Sequence, residues 1–262
     1  MDTKAGRRVT FLWGLKRSGI HHILNWLYAN LGATAKTALT TAGLHEQLSE
    51  GYCDPSADVA FFNNCGRMHS RRFELGEIAS RDFEQAAALH RSTIFGIEDC
   101  RLELASRTAE VRDARHLLVL RDPLNNIASR LAAHANRPDV FRVDEEYLDL
   151  LESYCAEFLG RSAALPRKTV VTYDRFIGDR AYRDSVAHAF GLENLDVVSE
   201  VSDYGGGSSF AGDATSPESL RTRFRQHPIP RPIIDSLVGR ETVREACSKV
   251  FGYDIAAVGA ES

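Results

Sequence analysis

Two short stretches of the chain carry the residue types that hold anions. The first is Gly14-Leu15-Lys16-Arg17-Ser18-Gly19-Ile20-His21, which ends an apolar run and opens a helical pattern. A strand, a tight turn with glycine and a helix N-terminus form an anion site: backbone N–H groups point outward and the helix dipole adds partial positive charge. Lys16 and Arg17 add full charges to that turn. The second stretch is Arg121-Asp122-Pro123-Leu124-Asn125-Asn126-Ile127-Ala128-Ser129-Arg130-Leu131, at the end of the clearest strand pattern. Taken alone, the first is equally a basic surface turn before a helix. The second, alone, is equally a capped helix with a structural arginine.

The first stretch has the two glycines of a nucleotide-phosphate loop of the type G-x-x-x-x-G-K-[ST] at the right separation. Ile20-His21 replaces its Lys-Ser/Thr pair. A kinase or NTPase would thereby lack both its phosphate lysine and its Mg²⁺ hydroxyl, so metal-dependent phosphoryl transfer is disfavoured. The net charge of −4 rules out a general electrostatic attraction to nucleic acid or acidic lipid, and any anion needs a local site. No His, Cys, Asp or Glu cluster has metal-ligand spacing. His21 and His22 are adjacent and point to different sides of a helix, a poor chelate.

These residues need elements to position them. Val9 to Leu15 reads as a buried strand, and Ile23, Leu24, Trp26, Leu27 and Leu31 form the apolar face of a helix closed by Gly32. Thr34 to Pro55 reads as a surface excursion. Val59 to Phe62, Ser92 to Ile97, His116 to Leu120 and Lys168 to Tyr173 read as strands. Arg81 to His90, Asp144 to Ala164 and Ala181 to Phe190 read as helices, the last ending at Gly191. Asp122 and Pro123 are an N-cap and first-turn pair for a helix to about Ala135. A loose stretch runs from Gly205 to Pro217. Strands alternating with helices predict an α/β fold with a parallel sheet covered on both faces. No repeat or low-complexity linker divides the chain, so one domain over 1–262, with a core of about 8–255, is expected. The five cysteines are scattered and odd in number, with no C-x-x-C pair. They suggest free thiols in a reducing compartment. The polar start, Met1 to Arg8, leaves no room for a secretory segment, and no apolar run reaches membrane-spanning length. A cytoplasmic protein with no membrane span is expected.

As an ordered pair, the two anion stretches resemble the PAPS-dependent sulfotransferases, which use 3'-phosphoadenosine-5'-phosphosulfate as donor. That family has a first loop of the type [KR]-S-G-T-[TS] for the 5'-phosphosulfate. A strand-end Arg and a Ser eight positions later serve its 3'-phosphate, a spacing matched by Arg121 and Ser129. Thr169 to Phe176 is similar to the family's strand whose Tyr, here Tyr173, lies near the adenine. Gly205-Gly206-Gly207-Ser208-Ser209-Phe210 looks like the glycine/serine loop that closes over the nucleotide in some bacterial members. The resemblance implies the P-loop sulfotransferase fold, a three-layer sandwich. It implies Arg17, Ser18, Gly19, Ile20, His21, Arg121, Ser129, Tyr173, Gly207, Ser208 and Ser209 as nucleotide contacts. PAPS is then co-substrate, PAP the product, and no metal is required. Ile20 and His21 depart from the family's hydroxyl residues and leave the backbone, Ser18 and His21 to hold the 5'-phosphate.

The resemblance also implies roles. Arg17 stands where the family has its catalytic Lys or Arg, and Lys16 is its neighbour. An acceptor hydroxyl needs a base. Glu98, just past a strand that should end at the ligand crevice, is the first candidate, with His22, His45 and His69 as alternatives; a surface or capping carboxylate is the plainer reading of Glu98 and Asp99. The acceptor could be a glycan, a lipid, a small molecule or a protein. Ala35 to Arg72 and the helix from Asp144 are expected to shape its pocket. Two other classes stay open: a P-loop nucleotide kinase or NTPase, and a non-catalytic nucleotide- or carbohydrate-binding relative.

Overall fold

The computed structural model describes residues 8–31, 52–54, 59–63, 92–106, 112–196 and 223–260. Its centre is a six-stranded sheet in the order β2-β3-β4-β1-β5-β6. The strands are β1 (Arg8–Gly14), β2 (Tyr52–Asp54), β3 (Val59–Asn63), β4 (Ser92–Glu98), β5 (Arg115–Leu120) and β6 (Lys168–Thr172). All neighbours pair in parallel except β2, which runs antiparallel to β3 at one edge. Strand order reverses around β1, since β4 lies on one side of it and β5 on the other. A crevice opens at such a switch point, outside the carboxyl ends of the strands. Gly14 pairs with Glu98 at that end.

The helices follow from the same residues. They are α1 (Ile20–Asn30), α2 (Pro123–His134), α3 (Glu145–Phe158), α4 (Tyr173–Gly178), α5 (Arg180–Phe190), α6 (Arg223–Gln226), α7 (Arg231–Gly239), α8 (Glu241–Ala246) and α9 (Ile255–Ala260), with a π-helical turn at Cys247–Phe251. Asp122 caps α2 by accepting from the Asn125 N–H at 2.8 Å, and Pro123 fits the first turn because its missing N–H is not needed there. Asp144 and Asp179 cap α3 and α5 in the same way. Gly191 ends α5 in the left-handed conformation, φ 64°.

Alternation along the strands divides the core into two layers. Phe11, Trp13, Phe95, Ile97, Leu118 and Leu120 face α2, α3 and the C-terminal helices, through Ile127, Leu151, Tyr154 and Leu237. Leu12, Ile94, Leu117, Val119 and Val171 face α1 and α5, through Ile23, Trp26, Leu27 and Phe190. Truncating one such buried leucine to alanine costs about 2–5 kcal/mol. The α/β architecture with helices on both faces is therefore as expected.

Several boundaries differ from the sequence reading. The first strand stops at Gly14, because Leu15 begins the turn by accepting from the Ser18 N–H at 3.0 Å. The last strand stops at Thr172, and Tyr173 opens α4. α3 ends at Phe158 rather than Ala164, where Glu157 folds the chain back by accepting from the N–H groups of Ala164 and Leu165. Strand β2 occupies the end of the segment read as an excursion, and α6 to α9 fill a region without an expected element. The expected helix at Arg81 to His90 lies outside the described residues, as do the glycine/serine loop and most of Ala35 to Arg72. Among the described residues no helix is long and apolar enough to cross a membrane.

Candidate functional site

The loop between β1 and α1 stands at the carboxyl ends of the central strands, with α2 beside it. Two residues in the loop have positive φ: Arg17 at 71° and Gly19 at 85°. Glycine adopts this conformation freely, whereas for an L-residue it costs roughly 1–2 kcal/mol. Gly19 is also fixed by space, since a β-carbon there would fall 2.0 Å from the ring of Tyr173. The start of α1 supplies backbone N–H groups with no acceptor inside the helix.

Arg17, Arg121 and Ser129 meet over this loop although their segments lie far apart in sequence. Arg17 donates from Nε to Ser129 Oγ at 3.2 Å. Arg121 donates from Nη1 to the Arg17 carbonyl oxygen at 2.8 Å. Arg121 is buried, yet its Nε and Nη2 have no hydrogen-bond partner among the described residues; the same is true of Ser18 Oγ. Leaving such groups unpaired inside a protein costs about 1–3 kcal/mol each, and more when charged. Two guanidinium groups this close repel. Burial, then the charge of Arg121, holds the Arg17 guanidinium below its ordinary pKa, while Glu98 and Tyr173 act in the opposite sense. Among the described residues no carboxylate forms an ion pair with Arg121, so the arrangement gathers positive charge and hydrogen-bond donors at one place.

Tyr173 sits against the same loop. Its ring lies under Arg121, with Cζ 5.5 Å from the centroid, and its hydroxyl is 2.7 Å from His22 Nδ1. Phe141 faces Arg17, with Cζ 5.8 Å from its centroid. Glu98 is buried at the end of β4, close enough to Arg17 to influence its charge. Ile20 packs into the core layer with Ile23 and Leu24, so its side chain fills space and only its backbone belongs to the loop. His21 is half-buried in the first turn of α1. Lys16 is buried and turned toward Asp99, with Nζ 3.9 Å from Oδ2. Gly207, Ser208, Ser209, His45 and His69 lie outside the described residues.

Sequence reasoning missed a set of residues behind the loop. Asp99 accepts from the Lys16 N–H at 2.8 Å and pairs with Arg130 Nη1 at 2.9 Å. Asn126 donates from Nδ2 to the Lys16 carbonyl oxygen at 3.2 Å, and Tyr147 donates its hydroxyl to Asn126 Oδ1. The Arg130 guanidinium covers the Tyr147 ring at 4.1 Å. The available signal was spacing: Asn126 and Arg130 are four apart on α2 and so share a face. Among the described residues no cluster of His, Cys, Asp or Glu could hold a metal ion.

No family model matches the chain, and no curated protein matches it. Among solved structures, it is similar to the sulfotransferase domain from the Synechococcus PCC 7002 olefin synthase. The TM-score is 0.49 at 12% identity, over 97% of this chain and 98% of that one.

Proposed function

We propose that this chain transfers a sulfuryl group from PAPS to an acceptor hydroxyl or amine. The observation that carries the reading is the Arg121 guanidinium, buried with two nitrogens that no described residue satisfies, alongside Ser129 and the Arg17 loop. A nucleotide with phosphate at both the 3' and 5' positions suits this pattern, because it needs two anion sites on one crevice. The order of the motifs along the chain and their resemblance to PAPS-dependent enzymes support the same reading.

In this account the β1–α1 loop, Ser18, Gly19, Ile20 and His21 hold the 5'-phosphosulfate, and Arg121 and Ser129 hold the 3'-phosphate. Tyr173 borders the adenosine. Gly207, Ser208 and Ser209, outside the described residues, are assigned as further nucleotide contacts on the resemblance alone. The acceptor oxygen forms a bond to sulfur as the bond from sulfur to the 5'-phosphate oxygen breaks. PAP leaves with the electron pair, and the acceptor proton passes to a base. Arg17 stabilises charge growing on the bridging oxygen, the largest contribution available to a reaction of this kind. Lys16 adds positive field from behind the loop. Glu98 is the first choice of base and His22 the second, with the His22 ring already engaged by Tyr173. The chemistry requires no metal ion, and the protein works in the cytoplasm. Phosphoryl transfer is less well served, since Ile20 stands where the phosphate-binding lysine would be needed and His21 where the metal-binding hydroxyl would be.

The test is product formation. Incubated with PAPS and a panel of glycan, lipid, phenol and peptide acceptors, the protein should release PAP in an acceptor-dependent manner. ADP release from ATP, with PAPS untouched, would point to the kinase reading. PAP binding without turnover on any acceptor would point to a non-catalytic relative.

A further inference from the structure

We infer that Asp99, Asn126 and Arg121 form a clamp that sets the backbone of Arg17 before any ligand arrives, and that Asp99 and Asn126 are positioning residues for the Arg17 side chain. The link from Arg17 to sulfuryl transfer rests on the reading above; the clamp itself does not. Rotation about φ of Arg17 turns the Lys16 carbonyl relative to the Arg17 carbonyl. Both ends of that rotation are held. Asn126 Nδ2 donates to the Lys16 oxygen at 3.2 Å, and Arg121 Nη1 donates to the Arg17 oxygen at 2.8 Å. The other side of Lys16 is tied as well, its N–H donating to Asp99 Oδ1 at 2.8 Å. Asp99 in turn donates its own N–H to the Gly14 oxygen at 3.1 Å, so it spans the loop from Gly14 to Lys16.

The clamp is closed on itself. Arg130 donates from Nη1 to both Asp99 oxygens, at 3.1 and 2.9 Å, and covers the Tyr147 ring. Tyr147 orients the Asn126 amide by donating to its Oδ1, which leaves Nδ2 aimed at Lys16. Arg130 is anchored independently by the Arg142 carbonyl, which accepts from Nε and Nη2 at 3.3 and 3.1 Å. Asn126, Arg130, Tyr147 and Asp99 are thus tied to one another and to elements outside the loop. Arg17 at φ 71° and Asp99 at φ 53° both hold a conformation that L-residues rarely adopt, and it persists only where the surroundings over-determine it. With that φ, the Arg17 side chain reaches Ser129 Oγ and Phe141.

The test reads Arg17 directly, without ligand. The Nε–H group of Arg17 bonds to Ser129, whereas that of Arg183 bonds to Asp196 at 2.7 Å, away from the loop. ¹H–¹⁵N spectra of arginine Nε–H groups are compared for the parent, Asp99→Asn, Asn126→Ala and the gentler Tyr147→Phe. The inference expects the Arg17 resonance to shift and to exchange faster with solvent in each variant, least in Tyr147→Phe, with Arg183 unmoved. An unmoved Arg17 resonance in Asp99→Asn and Asn126→Ala overturns it. So does movement of Arg183 together with Arg17 in all three, which marks a general structural role. A second arm measures PAP affinity, expected to fall about tenfold in Asn126→Ala, on the scale of one lost hydrogen bond. A parent that does not bind PAP refutes the ligand reading, while the spectra still decide the clamp.

Discussion

Gly19 lies against the ring of Tyr173 so closely that a β-carbon would come within 2.0 Å of Cε2. The contact joins the first loop to the turn after β6 and aligns the Arg121 guanidinium over the same ring. Gly19→Ala therefore meets two costs, a left-handed φ of 85° and a ring that must move. Stability should fall by roughly 2 kcal/mol or more in chemical denaturation, and PAP binding should weaken with it. A variant as stable as the parent would show that the ring yields freely.

Arg121→Ala and Ser129→Ala should each weaken PAP binding. A charge-assisted contact to phosphate contributes roughly 1.5–3 kcal/mol, so the arginine variant should lose the more. The preference for PAP over AMP should shrink in both, since AMP lacks the 3'-phosphate. Calorimetric titration of both nucleotides checks this. Parent-like affinity in both variants would place the 3'-phosphate elsewhere.

Glu98→Gln keeps the shape of the buried side chain and removes its proton acceptor. Turnover of an acceptor hydroxyl should fall by about 10²-fold or more, with PAP affinity little changed. Near-normal turnover would pass the role to His22.

Much of the architecture was legible because its signals are local. Capping at Asp122 and Pro123, the strand His116 to Leu120 and the alternation of elements all depend on neighbours in sequence. The convergence of Arg17, Arg121 and Ser129 was suggested by motif order, and the fold does bring them together. Asp99 was not distinguishable from a surface carboxylate, because its importance comes from Lys16 and Arg130, which reach it only through tertiary structure. Tyr173 read as the end of a strand for a similar reason: its β-propensity is overridden where the chain turns into α4. The C-terminal helices are short, and short apolar runs carry little periodic signal.

Asp122 supplies a pH-dependent prediction. Burial, reinforced by the neighbouring Asp174, raises its pKa from 3.8 to about 7. The folded state thus keeps a proton that the unfolded chain releases near pH 4, and stability falls as pH rises from about 4 to about 7. Asp122→Asn preserves a capping oxygen and removes the titration. Its stability relative to the parent should rise between pH 5 and pH 7 and then level off. Parallel stability curves for the two proteins would show that Asp122 does not titrate in this range.

Calorimetric titration of the parent protein with PAP, AMP and ATP, each with EDTA and then with Mg²⁺, tests sulfuryl transfer from PAPS most directly at the level of recognition. The account predicts that PAP binds at least about tenfold more tightly than AMP, the scale of one charged phosphate contact, and that EDTA leaves this unchanged. Tight binding of ATP only in the presence of Mg²⁺, with PAP no better than AMP, would contradict it.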